Sequence, residues 1–193
     1  MKLMNEPILD RNNSLYICID LQGKLLAAID NLDTLIKKSN VLLKTSEIYN
    51  IPLLVTEQYP KGLGPTDERV MLPKHHKLFA KTNFSVFASE DFVEEFNNLN
   101  KKNIIVFGAE THVCVYYSVY HLLQNGYNVY VVADACGSRT DNDKQIGLEQ
   151  MRKLGANIIS TEMVLFGFIE GSKVPNFKDL SNLLKLIHKN IEA

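Results

Sequence analysis

The sequence predicts an α/β domain built on a mostly parallel sheet with helices on both faces. Two observations carry this. Short apolar runs alternate along the chain with longer stretches whose apolar residues recur at helical spacing. The short runs are continuously apolar, the pattern of strands covered on both sides by crossover helices. A chain of 193 residues can bury a full core, and no Pro/Gly/Ser-rich linker divides it, so residues 1–193 read as a single domain.

Residues 15–21 form the first run, Leu15-Tyr16-Ile17-Cys18-Ile19, ending at Asp20 with Gln22 and Gly23 beyond. Residues 32–49 place Leu32, Leu35, Ile36, Leu42, Leu43 and Ile48 at helical spacing. Pro52 introduces a second strand at 53–56, followed by Glu57-Gln58-Tyr59-Pro60. Gly62, Gly64, Pro65 and Pro73 make 61–73 a surface loop. Residues 78–81 are too short to assign. Ser89 reads as the N-cap of a helix carrying Phe92, Val93, Phe96 and Leu99.

The third strand, 104–107, stops at Gly108. After the turn Ala109-Glu110-Thr111-His112, Cys114 opens a helix with Val115, Val119, Leu122 and Leu123 on one stripe and Gly126 as a left-handed cap. A fourth strand at 129–132, a helix at 144–154 ended by Gly155, a fifth strand at 158–160 and a helix at 180–191 complete the reading. The apolar stretch 163–169 fits either a subunit contact or the core.

Composition narrows the partners. With 21 basic and 22 acidic residues, the net charge of -1 exerts no general pull on nucleic acid or an anionic membrane. The N-terminal residues Met1 to Pro7 lack the apolar core of a signal peptide, and no apolar run is long enough to cross a bilayer. Three irregularly spaced cysteines make no disulfide framework, and a cytoplasmic setting fits them. His75-His76 has no evident metal-ligating companions and reads as a solvated pair.

Parallel sheets take ligands outside the carboxyl ends of their strands, where strand order reverses. Asp20 and Cys114 follow such ends. At a helix N-terminus the dipole and free N–H groups favour a thiolate and can hold an oxyanion. A free cysteine is also a common core residue. Cys18 lies within an apolar run and reads as core, and Cys136 reads as structural. For Cys114, position alone leaves both readings open. Asp20 fits a proton acceptor for a thiol, or a plain loop carboxylate or N-cap. Lys81, set among Phe79, Phe84 and Phe87, either snorkels or pairs with a buried carboxylate.

The order of three motifs goes further: Ile19-Asp20-Leu21-Gln22, then Lys81-Thr82-Asn83-Phe84-Ser85-Val86-Phe87, then Gly108-Ala109-Glu110-Thr111-His112-Val113-Cys114-Val115. This order resembles the isochorismatase-like cysteine hydrolases, most closely the isochorismatase-domain-containing and YcaC-like branch. The segments Thr56 to Gly64 and Val132 to Arg139 resemble that branch too, and the likeness spans residues 15–166. It implies a three-layer α/β/α sandwich, Rossmann-like, with a central parallel sheet. It implies Cys114 as nucleophile, Asp20 as general base and acid, and Lys81 as the cation that holds Asp20 and lowers the thiol pKa. It also implies a non-proline cis peptide at Ala109–Glu110, with the N–H groups of Glu110 and Cys114 as an oxyanion hole.

The implied reaction is hydrolysis of a small amide or related C–N bond through a thioester on Cys114, with a small-molecule substrate, no cofactor and a homo-oligomer. Gln22, Gln58, Tyr59, Phe84 and His112 are the expected pocket wall. One departure matters: related nicotinamidases carry an Asp-x-His metal site after the second strand, where this chain has Glu57-Gln58-Tyr59. No metal is therefore expected. Vinyl-ether hydrolysis of isochorismate, a non-catalytic binding or scaffold role, and redox sensing by the thiol are the alternatives.

Overall fold

The computed structural model describes residues 9–169 and 177–188. In chain order the strands and helices are β1 (Ser14–Ile19), α1 (Gly23–Leu26), α2 (Leu32–Tyr49), β2 (Leu53–Gln58), α3 (Pro60–Leu63), β3 (Lys77–Lys81), α4 (Glu90–Leu99), β4 (Asn103–Ala109), α5 (Tyr116–Gln124), β5 (Asn128–Gly137), α6 (Asp141–Lys153), β6 (Asn157–Ile159), α7 (Thr161–Gly167) and α8 (Phe177–His188). The strands form one six-stranded sheet, ordered β3-β2-β1-β4-β5-β6. Every neighbouring pair is parallel. Helices cover both faces, giving the three-layer sandwich.

The apolar runs explain the layers. All six residues of β1 and all seven of β4 are buried, as central strands covered on both faces must be. From β1 the chain builds outward through β2 to β3, then returns to the far side of β1 as β4. The order therefore reverses between β1 and β4, so the crevice beyond their carboxyl ends is the expected ligand position.

Gly108 lets those ends approach. Its φ is +132°, and a Cβ there would lie 2.1 Å from the Ile19 carbonyl oxygen. Only glycine combines that conformation with that contact. The β4–β5 register shifts between Val106 and Gly108, and Gly108 then pairs with Cys136.

Several expectations change in extent. Residues 77–81 become edge strand β3, whose mixed exposure hides the strand signal. The 61–73 loop opens with the one-turn α3, started by Pro60 at the first helical position. β5 runs on to Gly137, which puts Cys136 inside the strand. α6 starts at Asp141, where the Thr140 hydroxyl accepts the Asp143 N–H. Ser89 occupies the N-cap of α4 but makes no side-chain cap bond, and Glu90 and Asp91 complement the helix dipole there. Gly126 is left-handed as expected, at φ +76°, with its N–H bonded to the Leu123 carbonyl. In α7, Val164 and Leu165 are buried while Met163 and Phe166 are exposed, so the 163–169 stretch serves the core on one face only. Residues 189–191 of the expected C-terminal helix lie outside the described residues.

Candidate active site

Asp20 closes β1 in a left-handed conformation, φ +51°. Its N–H donates to the Thr56 carbonyl at 3.1 Å, and its carbonyl accepts the Gln22 N–H at 2.8 Å. The carboxylate is buried and bonded at both oxygens. Thr56 Oγ1 donates to Oδ1 at 2.7 Å, and Lys81 Nζ donates to Oδ2 at 2.6 Å. The Asp20 and Lys81 side chains are 0% and 1% exposed, so this is a buried ion pair. Of the two sequence readings for Lys81, pairing holds and snorkelling does not. The ammonium also donates to Gln58 Oε1 at 2.6 Å and to the Asn83 carbonyl at 3.3 Å.

Cys114 arrives from the other side of the crevice. The peptide Ala109–Glu110 is cis. Residues Thr111–Val115 form a π-helical turn with Glu110 as its N-cap. The Glu110 carbonyl accepts the N–H groups of Val113 and Val115, both at 3.1 Å. The Cys114 carbonyl accepts the Ser118 hydroxyl at 2.6 Å, which ties the turn to α5. Cys114 is 6% exposed. The Asp20 and Lys81 charges both act on its thiol, in opposite directions.

Lys81 pulls the thiol pKa down, as expected, but does not set the net direction. Burial, reinforced by the Asp20 charge, pushes the Cys114 thiol up to about 12, and the lowering pull of Lys81 only partly offsets them. A helix N-terminus and a cation alone predict the opposite direction. Removal from water disfavours the thiolate more than these attractions favour it. Cys18 and Cys136 are also held above the ordinary thiol value, chiefly by burial.

The expected pocket-wall residues divide. Gln22 is buried, and its amide binds backbone: Oε1 accepts the Gln58 N–H at 2.7 Å, and Nε2 donates to the carbonyls of Gln58 (3.0 Å) and Gly64 (2.6 Å). It braces the loop after β2. Gln58 faces Lys81. Tyr59 is exposed, with its ring over Gly62. Phe84 is exposed and pairs with Tyr117, ring centroids 6.1 Å apart. His112 Nδ1 lies 3.0 Å from Ser138 Oγ, and the Glu110 carboxylate pairs with Arg139 at 2.7 Å. His75 and His76 each contact a backbone carbonyl, of Ile51 and Pro73.

Sequence reasoning missed Thr56 and Tyr117. Thr56 carried a signal, being the one hydroxyl in Leu53-Leu54-Val55-Thr56 and the register partner of Ile19. Tyr117 lies three residues beyond Cys114, one helical turn away. An apolar groove of about 650 Å³ lies elsewhere, between α2 and residues 71–74, and contains none of Asp20, Lys81 and Cys114.

Comparison with known proteins identifies the family and the fold. The isochorismatase domain model matches residues 14–163. The chain belongs to the isochorismatase family. Isochorismatase family protein 1A of Dictyostelium discoideum is 36% identical over 178 residues, 89% of this chain and 86% of that protein. The structure titled MAR1 ribonuclease from Caenorhabditis elegans superposes with a TM-score of 0.86 at 35% identity, covering 91% of each chain. YcaC of Escherichia coli, titled an octameric hydrolase of unknown specificity, shares the fold at a TM-score of 0.82 and 23% identity, over 95% of this chain and 90% of that one. This isochorismatase-family hydrolase thus presents a buried carboxylate–ammonium pair against a thiol at the switch point of its sheet.

Proposed function

We propose that the protein hydrolyses a small amide or related C–N bond with Cys114 as nucleophile. The observation that carries this reading is the fully buried Asp20–Lys81 pair, whose two charges both act on the Cys114 thiol. Asp20 accepts the thiol proton as sulfur bonds to the substrate carbonyl carbon, and the C=O electron pair moves onto oxygen. The N–H groups of Glu110 and Cys114 hold that oxyanion. On collapse the C–N bond breaks, and Asp20 passes the proton to the departing amine, leaving a thioester on Cys114. A water then attacks, Asp20 takes its proton, the acid leaves, and the proton returns to the thiol. Lys81 holds the Asp20 carboxylate in place through these transfers. The raised thiol pKa suits this order, because deprotonation is coupled to attack rather than completed before it.

Tyr59, Phe84 and His112 are the proposed substrate contacts. The exposed aromatics Phe84, Tyr117 and Tyr120 support a homo-oligomer that covers them. The name of the Caenorhabditis elegans neighbour raises ribonuclease action as a second reading. A net charge of -1 and a site cation paired with Asp20 favour a small uncharged substrate over a polyanion. A panel of small amides and nitriles, with ammonia release as readout and labelled RNA as a further arm, tests the choice. Wild type is expected to release ammonia from an amide and Cys114→Ala to release none. RNA cleavage by wild type without amide turnover refutes the reading.

A further inference from the structure

The last three residues of β2, 56–58, include two neutral side chains that face the two charges of the Asp20–Lys81 pair. Thr56 grips Asp20 twice, through its carbonyl on the Asp20 N–H and its hydroxyl on Oδ1. Gln58 grips Lys81 through Oε1, while its Nε2 donates to the Thr82 carbonyl at 2.7 Å. We propose that Thr56 and Gln58 are positioning residues that fix the Asp20 carboxylate and the Lys81 ammonium in the orientation proton transfer from Cys114 requires. The proposal rests on the cysteine-nucleophile reading above.

Both bonds remove rotational freedom. A carboxylate turns easily about its last torsion, because sp³–sp² rotations are broad. Bonded to Lys81 alone, Asp20 is free to pivot on Oδ2. The Thr56 hydroxyl on Oδ1 removes that rotation. Valine fills a buried strand position as well as threonine, so packing alone does not call for the hydroxyl. Buried hydroxyls are costly unless bonded, and this one bonds Asp20.

Lys81 poses the same problem at the end of a flexible stem. Its ammonium has three protons, and the Gln58 and Asn83 oxygens stop it swinging away from Asp20. Gln58 is itself fixed. Its oxygen meets a pure donor, its nitrogen meets a carbonyl, and its own N–H and C=O both bond the Gln22 amide. With both amide ends turned onto the protein, Gln58 acts on Lys81 rather than on substrate.

The test compares Thr56→Val, Thr56→Ser and Gln58→Leu in the full chain. Two readouts are used: kcat and KM on an amide that wild type turns over, and the rate at which iodoacetamide alkylates Cys114, followed by intact mass. Thr56→Val is expected to lower kcat about 10- to 150-fold, the scale of one hydrogen bond to a charged group. KM stays within about twofold, alkylation slows about tenfold, and Thr56→Ser restores both. Gln58→Leu lowers kcat with KM unchanged.

Wild-type kcat and alkylation in Thr56→Val overturn the proposal. So does a folded Thr56→Ser as slow as Thr56→Val, or a loss that lies in KM. If Thr56→Val does not fold, Gln58→Leu decides alone, and wild-type kcat there is the contrary result. Alkylation keeps the two readings separable: turnover by Cys114→Ala removes the nucleophile, whereas equal alkylation of the Thr56 variants removes the brace.

Discussion

Replacing Lys81 by methionine removes one charge of a buried pair and leaves the other in place. Lys81 Nζ lies 2.6 Å from Asp20 Oδ2, with both side chains at most 1% exposed, so neither water nor salt screens the carboxylate that remains. Breaking such a pair costs about 3–5 kcal/mol. Asp20 keeps the Thr56 hydroxyl on Oδ1, which sets the expected loss near the lower end, about 3 kcal/mol. For a domain of this size each kcal/mol moves Tm by about 2–4 °C, so Tm falls by about 6–12 °C. Combining Lys81→Met with Asp20→Asn removes both charges while the amide oxygen still accepts from Thr56. The double variant is expected to recover at least about 1 kcal/mol over Lys81→Met alone. Denaturant titration of wild type, both single variants and the double variant measures the cycle. A Lys81→Met protein within about 1 kcal/mol of wild type refutes the buried ion pair.

Three further outcomes are expected. Gly108→Ala meets Ile19 backbone at 2.1 Å and is expected to cost more than about 4 kcal/mol, whereas Gly126→Ala, with positive φ but nothing within 4 Å, costs about 1–2 kcal/mol; thermal melts of both separate contact from conformation. The three buried thiols are held above their unfolded value of 9.0, Cys114 and Cys136 at about 12, so their contribution to stability is full below pH 9 and is lost as pH rises from there towards 12; Tm measured against pH should fall in that window, and a flat profile contradicts the burial. Phe84→Ala is expected to raise KM about tenfold with little change in kcat if Phe84 contacts substrate, and steady-state kinetics on a turned-over amide reads it.

Much of this was legible in the sequence because the decisive features are local. The continuous apolar runs of β1 and β4 are buried on both faces, so burial is written directly into composition. β3 escaped because an edge strand with mixed exposure loses that signature. The convergence of Asp20, Lys81 and Cys114 was legible only through motif order, since the Asp20–Lys81 pair spans 61 residues and no local period records such a contact. The thiol's shift was the least legible, because it depends on the balance of burial against two opposed charges, a three-dimensional quantity. Gln22 misled for a related reason: a glutamine beside a candidate catalytic aspartate looks like a substrate contact until its amide is seen bonded to the backbone of Gln58 and Gly64.

The central claim is that Cys114 carries the acyl group. Rapid acid quench of wild type during turnover of an amide from the panel, followed by mass analysis of the peptide bearing Cys114, tests it most directly. An added acyl mass is expected on that peptide, absent from Cys114→Ala, which also releases no ammonia. Undiminished ammonia release by Cys114→Ala, or an acyl group found on another residue, contradicts it.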